Sequence, residues 1–372
     1  MYTIWHDNDF DFAHWVYENS CLKHDKVVLR PIPKESSASL INTYLTKKSD
    51  YGILPIIKLE KPDIIIQKVT GENSQIVFVS EFMTHTPQWQ HPAQRFSRIY
   101  SSALLKIPTT LVLNRNKVKF EKKQGVYKEV NYSCSPSVFS LFKKTSQLAQ
   151  SAVLLYFWPD TNGFPVNDLR HATAPFIDES IRDWFGFLDK AIASDGIVPL
   201  TDALVKKQID LIDKTANIPA LSDFTSIRGV VDTGKFLEKT KAKEVPRRIT
   251  ERQKSLIFAP DGLKCNSSPF RTDPYAGMLC AFDNLFCRNT NKSREINLIL
   301  IAQNVSISMY RNLNQHHDYG DCPFLTGKHP KNSAHFESCT FTLPKYVRIY
   351  GEVADMIVFD DGIFYSPRGS LV

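Results

Sequence analysis

Two short apolar runs with a turn between them most constrain how this chain can fold. Ile64–Ile66 and Ile76–Val79 consist of β-branched and aromatic residues, and the letters TGENS between them have the composition of a tight turn. Residues 61–84 therefore predict a β-hairpin. A carboxylate stands at the open end of each strand, because Asp63 precedes the first run and Glu81 follows the second.

The segment after the hairpin predicts a helix and then another strand. Apolar residues recur at helical spacing within residues 92–106. Residues 107–113 are again rich in β-branched side chains. A helical crossover favours a strand that runs parallel to its predecessor. The order strand, turn, strand, helix, strand predicts a mixed central sheet flanked by helices.

The chain of 372 residues is long enough for several regions, and its patterning predicts a mixed α/β protein with three of them. Residues 1–135 hold the central sheet. Residues 136–245 show mainly helical periodicity, and residues 246–372 return to mixed α/β patterning.

Periodicity and capping residues place the other elements. Helices are expected at residues 8–20, 35–48 and Met278–Phe286, and strands at residues 26–32, 296–301, 346–350 and 354–366. Residues 235–254 hold eight Lys or Arg against three Glu, which predicts a solvated linker or an exposed helix.

Composition narrows the class of protein. The chain is 42% apolar and 23% charged, which is ordinary for a globular protein. The seven cysteines form no CxxC pair, which favours reduced thiols in the cytoplasm. The sequence shows neither a signal peptide nor an apolar run long enough for a membrane span. The net charge of +7 is compatible with a polyanionic partner.

The two carboxylates of the hairpin suggest a metal site. Asp63 and Glu81 lie at mirrored positions about a turn near residue 72, so a tight antiparallel pair would bring them together. Two like charges at that distance repel, and a divalent cation relieves the repulsion. Mg²⁺ is typically held by one or two carboxylates, and it can activate water for attack on a phosphodiester.

The sequence Pro62-Asp63, an acid at the end of the next strand, and a following helix and strand resemble the PD-(D/E)xK nuclease superfamily. Many type II restriction endonucleases belong to that superfamily. The resemblance covers about residues 50–115. It implies that Asp63 and Glu81 bind Mg²⁺, and that a lysine two positions after the second acid orients or deprotonates the attacking water. Here that position is Met83, which carries no charge.

Several residues could take over the role that Met83 cannot fill. The candidates are Lys68, His85, Gln88, Gln94 and Arg95, of which Gln94 and Lys68 are the residues we expect to assist Asp63 and Glu81 in catalysis. Gln94 lies off the apolar stripe of the predicted helix, in the turn nearest the carboxylates. Metal-bound water with less assistance and a catalytically dead site are the other two accounts.

A purely structural account is also open. Asp63 would then be a surface turn residue, and Glu81 would pair with Arg95 or Arg98 at the end of its strand. Two further Pro-Asp pairs, at Pro159 and Pro260, lack a following strand that ends in an acid, so only the first has the full arrangement.

Basic residues offer contacts to nucleic acid. The segment 114–128 is rich in lysine, and lysine or arginine on backbone phosphates supplies affinity without sequence information. The side chains expected to contact DNA are Lys117, Lys119, Lys122, Lys123, Arg271 and Arg288.

Two other motifs carry less weight. Cys322, His329, His335 and Cys339 are residue types that bind zinc, but their spacing fits no defined pattern. Residues 229–236 nearly match a phosphate-binding loop, but Phe236 stands where Ser or Thr is needed.

The resemblance implies a Mg²⁺-dependent DNA endonuclease, most naturally a type II restriction enzyme that cuts double-stranded DNA. It also implies a homodimer, since two-fold symmetric sites favour symmetric dimers, and a companion DNA methyltransferase in the same system. The C-terminal region would serve DNA recognition or dimerisation. Two alternatives remain: a catalytically silent nucleic-acid-binding module on the same scaffold, and a nuclease of DNA repair or of mobile-element processing.

Overall fold

The structure is a computed structural model. The residues that it describes are 1–7, 10–32, 45, 47–57, 60–83, 88–114, 116–123, 126–158, 179–260, 273–289, 293–303, 305–315 and 349–367. They form two compact units. The first unit ends at Ile218, and the second begins at Pro219.

A six-stranded mixed sheet forms the centre of the first unit. Its strands, in spatial order, are β2 (Val27–Pro31), β1 (Tyr2–His6), β3 (Ile64–Thr70), β4 (Asn73–Met83), β5 (Thr109–Asn114) and β8 (Val153–Trp158). Strand β3 is antiparallel to β1 and β4, whereas β4, β5 and β8 are parallel to one another. The predicted hairpin and the parallel strand after the helical crossover are both confirmed.

Helices cover both faces of this sheet. They are α1 (Phe10–Asn19), α2 (Leu54–Ile57), α3 (Gln90–Leu104), α4 (Pro136–Ala149), α5 (Glu179–Ala193) and α6 (Ala203–Thr215). Among the described residues, no helix is both long and apolar enough to cross a membrane.

The alternation of strand β4 assigns its residues to the two faces. Phe78 and Phe82 point to the α5 face, where their rings lie 6.1 and 5.4 Å from that of Trp184. Trp184 is fully buried, and its ring stacks 6.2 Å from that of Trp15 on α1. Glu81 points to the opposite face, towards α3.

A separate two-stranded ribbon follows β5. Strands β6 (Asn116–Lys123) and β7 (Val126–Ser133) pair in antiparallel fashion. The predicted basic hairpin is confirmed as a hairpin.

The second unit contains a five-stranded mixed sheet. In spatial order its strands are β13 (Gly362–Tyr365), β12 (Met356–Phe359), β11 (Ile296–Ala302), β10 (Lys254–Phe258) and β9 (Ile227–Asp232). The three inner strands are parallel, and each edge strand is antiparallel to its neighbour. Its helices are α7 (Thr233–Lys239), α8 (Arg247–Thr250), α9 (Asp273–Phe282, continued by a π-helical turn over Asp283–Cys287) and α10 (Ile307–Gln315).

Buried ion pairs tie this second unit together. Asp355, just before β12, accepts hydrogen bonds from Arg252 at 2.8 Å and from Arg294 at 2.6 Å. Asp283 pairs with Arg294 at 2.6 Å and with Arg288 at 2.5 Å. Both aspartates are fully buried, so each carboxylate depends on these arginines for its solvation.

The division of the chain differs from the predicted one. The unit boundary at Ile218 falls inside the expected helical region 136–245. The physical reason is that strand β8, within that region, adds to the first sheet, and helices α4 to α6 pack in the same unit.

Single elements differ as well. Ile349 and Tyr350, expected in a strand, are helical, and Tyr350 accepts a helix-type hydrogen bond of 3.0 Å from the amide of Ala354. Residues 235–254 contain the end of α7 and all of α8. Most of the helix expected at 35–48 lies outside the described residues.

Candidate functional site

The register of the hairpin brings the two predicted carboxylates together. Ile64 pairs with Ser80, so Asp63 and Glu81 are the next residues towards the open end. The amide of Asp63 donates to Glu81 Oε2 at 3.1 Å, and the amide of Phe82 donates to Asp63 Oδ2 at 2.7 Å. Each carboxylate is therefore fixed by the backbone of the other's strand.

Arg98 on α3 joins the two carboxylates. Its Nη1 atom lies 2.9 Å from Glu81 Oε1, 3.2 Å from Glu81 Oε2 and 3.4 Å from Asp63 Oδ1. Arg95, one helical turn earlier, places its Nη1 atom 3.2 Å from Glu81 Oε1. The structure thus contains the ion pairs that the structural account of Glu81 expects.

Two further acids belong to the cluster, and sequence reasoning missed both. Glu60 is buried, and its Oε1 atom lies 3.8 Å from Arg98 Nε. Asp7 donates its amide to the carbonyl of Asp63 at 3.0 Å, and its carboxylate helps to raise the pKa of Asp63. Glu60 stands three residues before Asp63, a proximity that could have flagged it. Asp7 depends on the pairing of β1 with β3, which no local pattern gives.

Burial governs the electrostatics of both carboxyl groups. It raises the pKa of Glu81 to about 8, against the opposing effect of the Arg98 guanidinium, and the neighbouring Asp63 raises it further. Burial also raises the pKa of Asp63, with Arg98 and then Arg95 opposing the shift. The two arginines therefore offset only part of the cost of burying these acids.

The donor chemistry of the pair suits Mg²⁺, which takes oxygen ligands from one or two carboxylates. Among the described residues, however, no group of three or more acidic, histidine or cysteine side chains is arranged to hold a metal ion. The guanidinium of Arg98 also lies against both carboxylates. Asp63 and Glu81 can hold a cation only if Arg98 turns away.

The expected assisting residues fall in different places. Met83 lies on the same face of β4 as Glu81 and is 1% exposed, so it packs as a core residue. Gln94 is partly exposed and lies one helical turn before Arg98, on the same face of α3. Lys68 lies towards the far end of β3, where its Nζ atom is 2.5 Å from Asp195 Oδ1, so it is not brought to the carboxylates. His85 lies outside the described residues.

The residues expected to contact DNA divide into three groups. Lys117, Lys119, Lys122 and Lys123 all lie on strand β6. Arg271 lies outside the described residues, as do the four candidate zinc ligands. Arg288 is 5% exposed and pairs with Asp283, so its placement contradicts a direct contact with DNA.

Comparison of the chain with family models, with curated proteins and with solved structures finds no match.

Rising pH is expected to destabilise the protein through Glu81. The pKa of its carboxyl is about 8 in the folded chain, against an ordinary value of 4.5. The folded state therefore holds a proton that the unfolded state releases, and this contribution is complete below the ordinary value and lost as the pH rises through the folded one. The expected slope between these values is at most about 1.4 kcal/mol per pH unit.

Urea unfolding across this pH range, in EDTA, measures that slope for wild type and for Glu81→Gln. The variant should show a flatter profile, because its amide does not titrate. An equally steep profile in the variant would assign the pH dependence to other groups.

Arg98 is expected to matter more for stability than Arg95. Arg98→Met removes the guanidinium shared by two carboxylates and should lower the free energy of unfolding by about 3 kcal/mol. Arg95→Met removes one contact from a side chain that is 30% exposed, and should cost below about 1 kcal/mol. Denaturant unfolding of both variants measures the difference, and equal losses would contradict the shared-guanidinium account.

Proposed function

We propose that this protein is a Mg²⁺-dependent DNA endonuclease that hydrolyses phosphodiester bonds. One observation carries the proposal: a single nitrogen of Arg98 lies within 3.4 Å of oxygens from both Asp63 and Glu81. One positive charge can therefore neutralise both acids at once. A divalent cation is a stronger partner of the same kind for these oxygens.

The surrounding elements support the proposal. Strands β3 and β4 are antiparallel, helix α3 follows, and β5 is parallel to β4. This is the order of elements in which the PD-(D/E)xK resemblance places its two acids. A PD-(D/E)xK-like fold, with a type II restriction enzyme as its most natural member, is part of the proposal. So are a cytoplasmic location, double-stranded DNA as substrate, a homodimer and a companion methyltransferase.

The residues of the chain have distinct roles in this proposal. Asp63 and Glu81 would hold the ion, which when bound polarises a phosphoryl oxygen and lowers the pKa of a coordinated water. Arg98 and Arg95, once released from the carboxylates, suit the charged oxygens of the scissile phosphate. Gln94 can orient a water molecule through its amide, but it cannot act as a base. The proton acceptor is therefore sought outside the side chain at position 83.

A second candidate function has its own supporting observation. Met83 is buried, and Arg98 and Arg95 already pair with Glu81 without any metal. A nucleic-acid-binding module with no catalytic activity would have this arrangement. The nuclease of DNA repair or mobile-element processing shares the chemistry of the first proposal and differs only in substrate.

Cleavage of unmethylated plasmid DNA with Mg²⁺, run with and without EDTA, tests the proposal. Wild type should cut only with the metal, and Asp63→Asn and Glu81→Gln should each lower the rate by at least about a hundredfold, since each removes a charged ligand. Lys68→Gln and Asp195→Asn serve as matched controls. They remove charges far along the same strand and should keep the rate within about twofold.

The outcomes separate the candidates. Discrete fragments favour a sequence-specific enzyme, whereas a continuous smear favours processing of another substrate. DNA binding without cleavage under any divalent metal would support the silent module. Equal cutting by wild type and Asp63→Asn would place the active site elsewhere.

A further inference from the structure

A cleft of about 550 Å³ lies within the second unit, away from the carboxylate pair. One wall is strand β13, an edge strand of its sheet, all four residues of which line the cleft. The opposite wall is the turn after helix α7, and Arg311 of helix α10 completes the lining. A volume of this order accommodates one small organic group, such as a nucleotide.

Positive charge predominates around this cleft. Lys241, Lys243 and Arg311 line it, against one acid, Glu244. All three cations are exposed, and none of them takes part in an ion pair among the described residues. By contrast, the arginines beneath the sheet, such as Arg294, are buried against aspartates. The exposed cations of the cleft are thus available to an anion from solution.

The walls of the cleft are held in place by the protein itself. The hydroxyl of Tyr365 donates to the carbonyl of Lys243 at 3.0 Å, which ties the turn to the strand. The backbone of Lys241 and of Glu244 is left-handed, with φ of 51° and 52°. Non-glycine residues seldom adopt that conformation, so the surrounding bonds must enforce it.

Helix α10 is fixed over the same strand. The amide of Ile307 donates to Asp361 Oδ1 at 2.8 Å, at the turn that leads into β13. Arg311 lies four residues later, and therefore on the same face of the helix as Ile307. Its guanidinium is in this way directed to the rim of the cleft.

Aromatic side chains add a second kind of contact. Phe364 and Tyr365 are both partly exposed in the lining. The ring of Phe364 is supported by the buried ring of Tyr310, with centroids 5.1 Å apart. Cations that track a phosphate backbone, combined with aromatic rings that stack on bases, are the usual means of binding single-stranded nucleic acid.

We propose that this cleft binds a single strand of nucleic acid, with phosphates on Lys241, Lys243 and Arg311 and a base against Tyr365. An acidic peptide is the less favoured occupant, because it uses the cations but not the aromatic rings. Duplex DNA is less favoured because the cleft has room for about one nucleotide rather than for a helix. The site is independent of the nuclease proposal.

Fluorescence anisotropy with a labelled oligothymidylate tests the proposal on the full chain. EDTA is present throughout, so that metal-dependent cleavage plays no part. The cleft variant is Lys241→Gln with Lys243→Gln and Arg311→Gln. The matched control, Lys206→Gln with Lys235→Gln and Lys254→Gln, removes the same charge from exposed lysines outside the cleft lining.

The cleft variant should bind roughly 10- to 100-fold more weakly at moderate salt, and the slope of log K against log salt should fall by about 2, since three phosphate contacts are lost. The control should bind within about twofold of wild type. Tyr365→Leu should weaken binding at least about fivefold, because stacking on the ring is lost, and Tyr365→Phe should restore it.

Equal losses in the two triple variants, or no loss in either, would overturn the proposal. So would tighter binding of a matched duplex or of an oligoglutamate peptide than of the oligothymidylate. Undiminished affinity for an abasic strand with the same phosphates would remove the base contact and overturn the role of Tyr365. Circular dichroism of each variant verifies that it is folded.

Discussion

The guanidinium of Arg98 is the interaction on which the first unit depends. Glu81 is completely buried at the end of an interior strand, and no water is available to solvate its charge. Arg98 reaches it from helix α3 at 2.9 Å, and through the same atom it reaches Asp63. This contact anchors the crossover helix to the hairpin. It also keeps two acids at a separation that would otherwise be unfavourable.

That arrangement gives the carboxylate pair two compatible states. With the arginine in place, the acids are neutralised within the protein, and burial still keeps the pKa of Glu81 at about 8. With a divalent cation in its place, the arginine becomes available for a phosphate. The nuclease proposal requires exchange between these states, whereas the silent module requires only the first.

Local sequence pattern was sufficient for the hairpin and for the pairing of its acids. Residues 63 and 81 are symmetric about the turn, and a bulge on β4, between the pairs formed by Ile66 and by Gln67, does not disturb the open end. The pattern also gave helix α3 and the parallel strand β5, because their periodicities are distinct. It could not give β8, since a fully buried run such as Val153–Trp158 looks the same in a helix or a strand.

The participation of the remaining site residues depends on tertiary contacts. Asp7 joins the cluster through the pairing of β1 with β3, some sixty residues apart in the chain. Lys68 was a reasonable candidate because it shares a strand with Asp63, but the length of β3 separates the two side chains. Arg288 looked like a surface cation, yet it is committed to Asp283 inside the second unit. Charge count alone does not distinguish a buried arginine from an exposed one.

Direct binding of a divalent ion tests the central claim without relying on activity. Mn²⁺ prefers the same carboxylate and water ligands as Mg²⁺, and the electron paramagnetic resonance signal of the free ion reports how much remains unbound. Titration of the protein should show one site per chain that is lost in Asp63→Asn and retained in Asp195→Asn. Equal binding by wild type and Asp63→Asn, or no binding by either, would contradict the claim that this carboxylate pair is a metal site.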